Sequence, residues 1–240
     1  MQSNYPVLSM GYPDYSDYIV STPWDARAIG MDSFEITEPS EEILRELVTS
    51  LKPGHYMIKI DPIASKKALH ECGFYYCDTL LEPYCTPDLF VGFQKEGIRL
   101  SNTVSLEELL NICDGAFVHG RFHRDFNIDK KLADARYNLW LKDIYQTKNF
   151  FGLIYFDKLV GFIGFSQSKL ILHALSEEYR GQGLAKYFWS LCCQELFKEG
   201  SVELTSSISA SNLPMLNLYT SLGFRFRKAI DYYHLLIPDS

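Results

Sequence analysis

Leu184, Phe188, Cys192 and Leu196 recur every four residues, with Leu191 three after Phe188, which gives one apolar face at helical period. The segment before them, "KLILHAL", is a short apolar run of strand length. The same contrast of periods divides the rest of the chain. "PSEEILRELVTSL" predicts a helix, with Ser40 as its N-cap and acidic residues in the first turn. "HYMIKI" predicts a strand, "SKKALHEC" a helix closed by Gly73, and "FYYCDTLLEPYC" a further strand. Upstream, "PWDARAIGMDSFEI" reads as a turn leading into a strand. The first twenty residues, rich in Tyr, Pro, Ser and Asp, read as an irregular arm.

Beyond Pro87 the pattern mixes strand and helix signals, and "GAFVHGRFHRDFNIDK" is polar and irregular. A boundary is expected between residues 86 and 105, dividing a unit over 1–95 from a unit over 96–240. The second unit continues with a helix ("KLADARYNLWLKDIYQ") and a hairpin ("NFFGLIYF" and "LVGFIGFS") turning at Asp157-Lys158. After the strand and helix of the opening lines come the strand "SVELTSS", the helix "NLPMLNLYTSL" ended by Gly223, and the strand "YYHLLI". One echo crosses the boundary. "ALHECGF" and "LYTSLGF" lie 150 residues apart, and in both a helix gives way through Gly-Phe to a strand. The first unit is therefore expected to be a partial repeat of the second, without a glycine-rich turn of its own.

Composition narrows the class. The chain has 240 residues, 47% of them hydrophobic and 22% charged, ample for a packed core. A net charge of −7 with no basic run argues against nucleic acid or an anionic membrane as partner, though not against a small anion in a local pocket. The start has no basic segment leading an apolar one, and no apolar run approaches membrane-spanning length, so a cytoplasmic location is expected. The six cysteines form no CxxC pair and read as reduced core thiols; no metal site is expected.

"EYRGQGLAK", residues 178–186, sits between the strand and the amphipathic helix. A strand feeding a Gly-rich turn and then a helix aims unpaired backbone N–H groups, and the helix dipole, at one point where an anion can sit. Gly181 and Gly183 leave the backbone approachable, Ala185 adds little bulk, and Arg180 supplies a cationic fork. GxxxxGK[ST] and GxGxxG are both absent, so a P-loop and a dinucleotide site are disfavoured.

Arg180-x-x-Gly183-x-Ala185 resembles the R/Q-x-x-G-x-G/A signature of the GNAT acetyltransferases, with the hairpin before it and Asn212 and Tyr219 after it in register. The resemblance covers roughly residues 115–237 and implies an α/β fold with a mixed, mostly antiparallel sheet flanked by helices. It implies acetyl-CoA as co-substrate, its pyrophosphate held at Arg180, Gly181, Gln182, Gly183, Leu184 and Ala185. By the same resemblance, backbone groups of His173 and Leu175 meet the thioester and pantetheine, and Asn212 touches the pantetheine arm. Tyr219 is placed as the acid that protonates the departing thiolate. Asn212 as a pure N-cap, and Tyr219 as a buried aromatic, are the plainer readings of the same residues.

The general base is not named by the motif. Asp78 is the candidate: it interrupts an apolar strand, and either faces water from a sheet edge or turns into a cleft between the units. The layout around Trp24-Asp25, Arg121-Phe122 and the Trp140 helix resembles that of the bacterial dTDP-fucosamine acetyltransferases. That implies a nucleotide-linked amino-deoxysugar as acceptor, with Arg121, Phe122 and Arg124 as its contacts, and leaves room for a homodimer. Another small-molecule or peptide amine, and a non-catalytic acyl-CoA-binding module, are the alternative functions.

Overall fold

The computed structural model describes residues 16–238. In the first half, β1 (Ile19–Ser21), α1 (Pro23–Ile29), β2 (Ser33–Ile36), α2 (Glu41–Val48), β3 (Gly54–Ile60), α3 (Lys67–Glu71) and β4 (Tyr75–Cys85) follow one another. The second half opens with β5 (Ile98–Ser101), α4 (Leu106–Cys113), α5 (Arg121–Arg124), α6 (Lys130–Thr147), β6 (Phe150–Tyr155), β7 (Lys158–Ser166) and β8 (Lys169–Leu175). It closes with α7 (Ala185–Lys198), β9 (Leu204–Ser206), β10 (Ile208–Ser209), α8 (Leu213–Ser221) and β11 (Arg225–Ile237).

Local chemistry accounts for most of these limits. Ser40 caps α2 by accepting from the Ile43 amide, and Ser105 forms a reciprocal capping box with Glu108 on α4. Three local expectations are corrected. "PWDARAI" is the helix α1, started by Pro23 in its first turn and ended by Gly30 in the left-handed region, rather than a turn. The β6–β7 hairpin turns at Phe156-Asp157, both with positive φ, one residue earlier than expected. Of the expected N-terminal arm, residues 1–15 lie outside the described residues, whereas 19–21 form strand β1 against β2.

All strands join one mixed sheet in the order β1-β2-β3-β11-β4-β9-β8-β7-β6-β5, with β10 also on β4. Only β2–β3 and β8–β9 are parallel. The last strand of the chain thus lies between β3 and β4 of the first half, while β4 reaches over to β9 and β10 of the second. Each half lends its final strand to the other.

The register of this exchange is two-fold symmetric. Leu80 faces Ile230, and these two are themselves 150 positions apart. Around them Leu81 faces Ala229 and Thr79 faces Asp231, pairs that interchange under the same shift. The two register irregularities, at Phe226/Lys228 and Tyr232/Tyr233, interchange as well. The strands beside the pair follow a shift of 148, since Leu235 faces Tyr56 while Cys85 faces Leu204. The intervening segment is therefore two residues longer in the second half.

Both faces of the sheet are covered. Phe188, Trp189, Cys192 and Leu196 of α7 pack with Tyr219 of α8 and Leu222 just after it on Val160, Ile163, Leu170 and Ile208. On the other face, Leu109 of α4 and Leu141 and Ile144 of α6 cover Phe150, Phe162, Leu172 and Ala174. The first half has its own cluster, in which Leu44, Leu47, Ala68 and Leu69 cover Ile36, Tyr56 and Ile58.

Candidate active site

The glycine-rich turn forms as an open cradle. After a short 3-10 turn at Glu177–Tyr179, Gly181 and Gly183 adopt φ of +74° and +71°, and a Cβ added at either meets nothing within 4 Å. A side chain is thus excluded by backbone strain and not by crowding, which leaves the space in front of the turn free. No described residue accepts from the amides of Gly181, Gln182, Gly183 or Leu184, and Leu184 gives α7 no side-chain cap. By contrast α2, which holds the corresponding place in the first half, is closed by its Ser40 cap.

The other expected cradle residues divide by task. The Leu184 side chain is buried against α7, so only its amide can face an anion. Gln182 ties the turn to Glu178 O at 2.7 Å. Arg180 spends its Nε on Leu175 O at 2.8 Å, locking turn to strand and occupying the carbonyl of Leu175.

The sheet parts beside this cradle. β8 pairs with β7 along its length to Leu175, but with β9 only at Lys169 and Leu170. From Ile171 to Leu175 it has no strand on its other side, because β9 and β10 veer away to pair with β4. His173 stands on this unpaired stretch, its ring against Trp189 with centroids 5.1 Å apart. Its Nε2 lies 3.2 Å from the Tyr219 hydroxyl. Burial lowers the His173 pKa to about 4 and raises that of Tyr219, so both are neutral at pH 7. A neutral imidazole with Nε2–H can donate to the phenol oxygen, which leaves the phenol proton free for another acceptor. Tyr219 itself is fully buried against Phe224, and Asn212 caps its helix by accepting from the Met215 amide at 3.3 Å.

Asp78 lies across the parting, on the α5 face. It is fully buried on β4, between β11 and β10, so it is neither at an edge nor facing water. Its Oδ1 accepts from Arg124 Nη1 at 2.8 Å, Ser209 Oγ at 2.8 Å and the Thr79 amide at 2.9 Å. Its Oδ2 is buried with no partner. Desolvation raises its pKa above the ordinary 3.8, against the opposing pull of Ser209 and Arg124.

The expected acceptor contacts fare unequally. Arg124 keeps a third of its side chain exposed beside the Tyr76 ring, at 5.9 Å. Arg121 is mostly covered, stacked on Phe122 and Tyr232 and 3.7 Å from Asp25, which Arg136 also pairs with. Phe122 is corrected: it has no exposed surface and packs with Ile29, Ile128 and Ala133, because α5 uses it to anchor on the sheet. Ser209 and Trp189 were not anticipated; a serine in "SSISAS" and a tryptophan on an apolar helix face carry no spacing signal.

Two other features lie outside this cleft. His55, Asp125 and His234 form a buried cluster, with His234 Nδ1 2.8 Å from Asp125 and His55 Nδ1 3.0 Å from Ser33 Oγ. A surface cleft of about 850 Å³ opens at the ends of β2 and β3 beside Arg227–Ile230. This is the first half's counterpart of the parting, and it has Lys228 where the second half has Asp78.

Comparison with known proteins fits this geometry. Residues 108–224 match the Acetyltransferase (GNAT) family. No curated protein sequence matches the chain. Among solved structures, it is similar to a GCN5-related N-acetyltransferase from Sphaerobacter thermophilus, at TM-score 0.60 and 14% identity over 92% of this chain and 76% of that one. A GCN5-related N-acetyltransferase from Kribbella flavida gives 0.54 and 13%, over 87% and 82%. A tandem GNAT protein from the clavulanic acid biosynthesis pathway gives 0.52 and 9%, over 87% and 76%. At such identities these structures speak for the fold alone. The family match runs from α4 to just past the end of α8, so residues 108–224 carry the GNAT acetyltransferase match, that of an N-acyltransferase, on a sheet of the GNAT fold.

Proposed function

We propose that the chain transfers an acetyl group from acetyl-CoA to the amine of a small molecule, through the gap where β8 leaves β9. The observation that carries this is the opposition of two faces across one gap. The open glycine cradle, His173 and Tyr219 lie on the α7–α8 side, and the buried carboxylate of Asp78 lies on the α5 side. The donor then enters from one face and the amine from the other. The amine nitrogen attacks the thioester carbon, the C–S bond breaks, and Tyr219 gives its proton to the thiolate. Asp78 takes one proton from the ammonium before attack, and the second proton that nitrogen loses as the C–S bond breaks restores the Tyr219 phenol. Positioning of the two reactants supplies much of the acceleration, and each proton transfer adds about 10²–10⁴-fold.

The acceptor we propose is a nucleotide-linked amino-deoxysugar. The partly exposed Arg124 guanidinium above Tyr76 supports it, offering a cation and an aromatic face at one mouth of the gap. We also read residues 1–95 as a partial GNAT-like unit and 96–240 as the acetyltransferase unit, on the strength of the two-fold register and its exchanged strands. A free-thiol assay with acetyl-CoA, run against amino-sugar nucleotides, simple amines, polyamines and peptides, tests both readings. Thiol release with the sugar nucleotides alone supports the proposed acceptor. Release with a different amine replaces it, and no amine-dependent release removes the catalytic reading.

A further inference from the structure

A protonated amine must shed its proton before it can attack, and here the accepting carboxylate is sealed from water. Asp78 has no exposed surface, so an amine meets Oδ2 only where the gap admits it, and with the amine seated there the proton needs another route out. One is laid down beside it. Ser209 Oγ, on the same face and 7% exposed, donates to Asp78 Oδ1 at 2.8 Å. Ser211 Oγ lies 2.8 Å beyond Ser209 Oγ and is exposed. His119 Nδ1 stands 3.5 Å from Ser211 Oγ, at the outer limit for a hydrogen bond, in the loop before α5. A hydroxyl both donates and accepts, so two serines in sequence can pass a proton along. An imidazole at the end offers a ring nitrogen that can accept it.

Resting on the acetyl-transfer reading of the same gap, we propose that Ser209, Ser211 and His119 are the exit chain for the proton that Asp78 takes from the amine. Asp78 reaches this chain only because β4 is lent to the second half, where it pairs with β10. The three donors on Oδ1 orient the carboxylate while it is ionised and leave Oδ2 as the accepting atom; protonation weakens that hold. Arg124 and Ser209 are in this sense positioning residues. The steps balance without any co-reactant. An N–H bond of the ammonium breaks, its electron pair stays on nitrogen, and the proton binds Oδ2. The carboxyl group then turns to present its O–H to Ser209 Oγ, whose own hydrogen passes to Ser211 Oγ. The hydrogen of Ser211 passes to His119 Nδ1, and His119 releases a proton to water.

The test uses the full chain, acetyl-CoA and the amine identified by the panel above. His119→Ala should lower kcat at least tenfold with the KM for acetyl-CoA unchanged, and added imidazole should restore the rate. Ser209→Ala should lower kcat with a larger solvent deuterium isotope effect, and imidazole should not restore it. Wild-type kcat in His119→Ala, or a loss that imidazole leaves untouched, overturns the chain. If the wild type turns over no amine, the acetyl-transfer reading fails, and the chain is judged without turnover. In ¹⁵N NMR, Ser211→Ala should then displace the His119 Nδ1 resonance; an unmoved resonance overturns the contact and the proposal with it.

Discussion

Gly183 and Gly223 both sit in the left-handed region, at φ of +71° and +86°, yet alanine at the two positions should do opposite things. At Gly183 an added Cβ meets nothing within 4 Å, so the folding penalty is backbone strain alone, about 1–2 kcal/mol. In a protein of this size that is a loss of roughly 2–8 °C in Tm. If the proposed phosphate approaches the unpartnered amides of this turn, a Cβ at Gly183 adds bulk beside them. Each charge-assisted hydrogen bond is worth about 1.5–3 kcal/mol, so losing two weakens acetyl-CoA by roughly 10²-fold or more. At Gly223 the Cβ would lie 2.0 Å from Leu89 O, a backbone atom that cannot swing aside, because the next segment is tied by Val91 N to Leu222 O at 3.0 Å. Gly223→Ala should therefore cost several kcal/mol of folding, in the upper range for point changes. Titration calorimetry with CoA and thermal melts separate the two. Near-wild-type CoA affinity in Gly183→Ala refutes the assignment of this turn as the phosphate cradle.

Tyr219→Phe should keep CoA affinity and lose about 10²–10⁴-fold in kcat, measured by thiol release, if the phenol is the acid. Asp78 must be ionised to act and its pKa is raised by burial, so the acid limb of kcat/KM should fall above pH 3.8 and vanish in the residual activity of Asp78→Asn. His55 is held neutral down to about pH 3 against an ordinary 6.5, so the unfolded chain binds the extra proton between those values. Stability should drop as pH falls through that window, and urea midpoints of His55→Asn should fall less steeply over it. Calorimetry should return one acetyl-CoA per chain, since the first half's cleft has Lys228 at the Asp78 position and a side-chain cap at its helix. Residues 96–240 expressed alone should not give a cooperative melt, because β11 would lose both neighbours, β3 and β4.

The strands and helices whose chemistry is local were legible in the chain. Ser40 marks a helix start through its side-chain oxygen, Gly73 and Gly223 mark helix ends through their left-handed backbone, and "EYRGQGLAK" reads as an anion turn because glycine spacing and helix start adjoin in sequence. The short helix α1 was missed although Pro23 and Gly30 bracket it, since seven residues give too few turns for a period to show. The burial of Phe122 was also out of reach: it lies in a polar segment, and only α1 and α6 closing over it make it core.

What sequence by itself determined, then, was the glycine-rich turn proposed for the donor, a contiguous segment whose geometry is set by residues one to three positions apart. The proposed acceptor side was decided by tertiary structure. Asp78 and Ser209 are 131 residues apart and meet through the lending of β4 to the second half. Sheet pairing of that kind is specified by the register of whole strands and the burial of both faces, and no short window of sequence contains it.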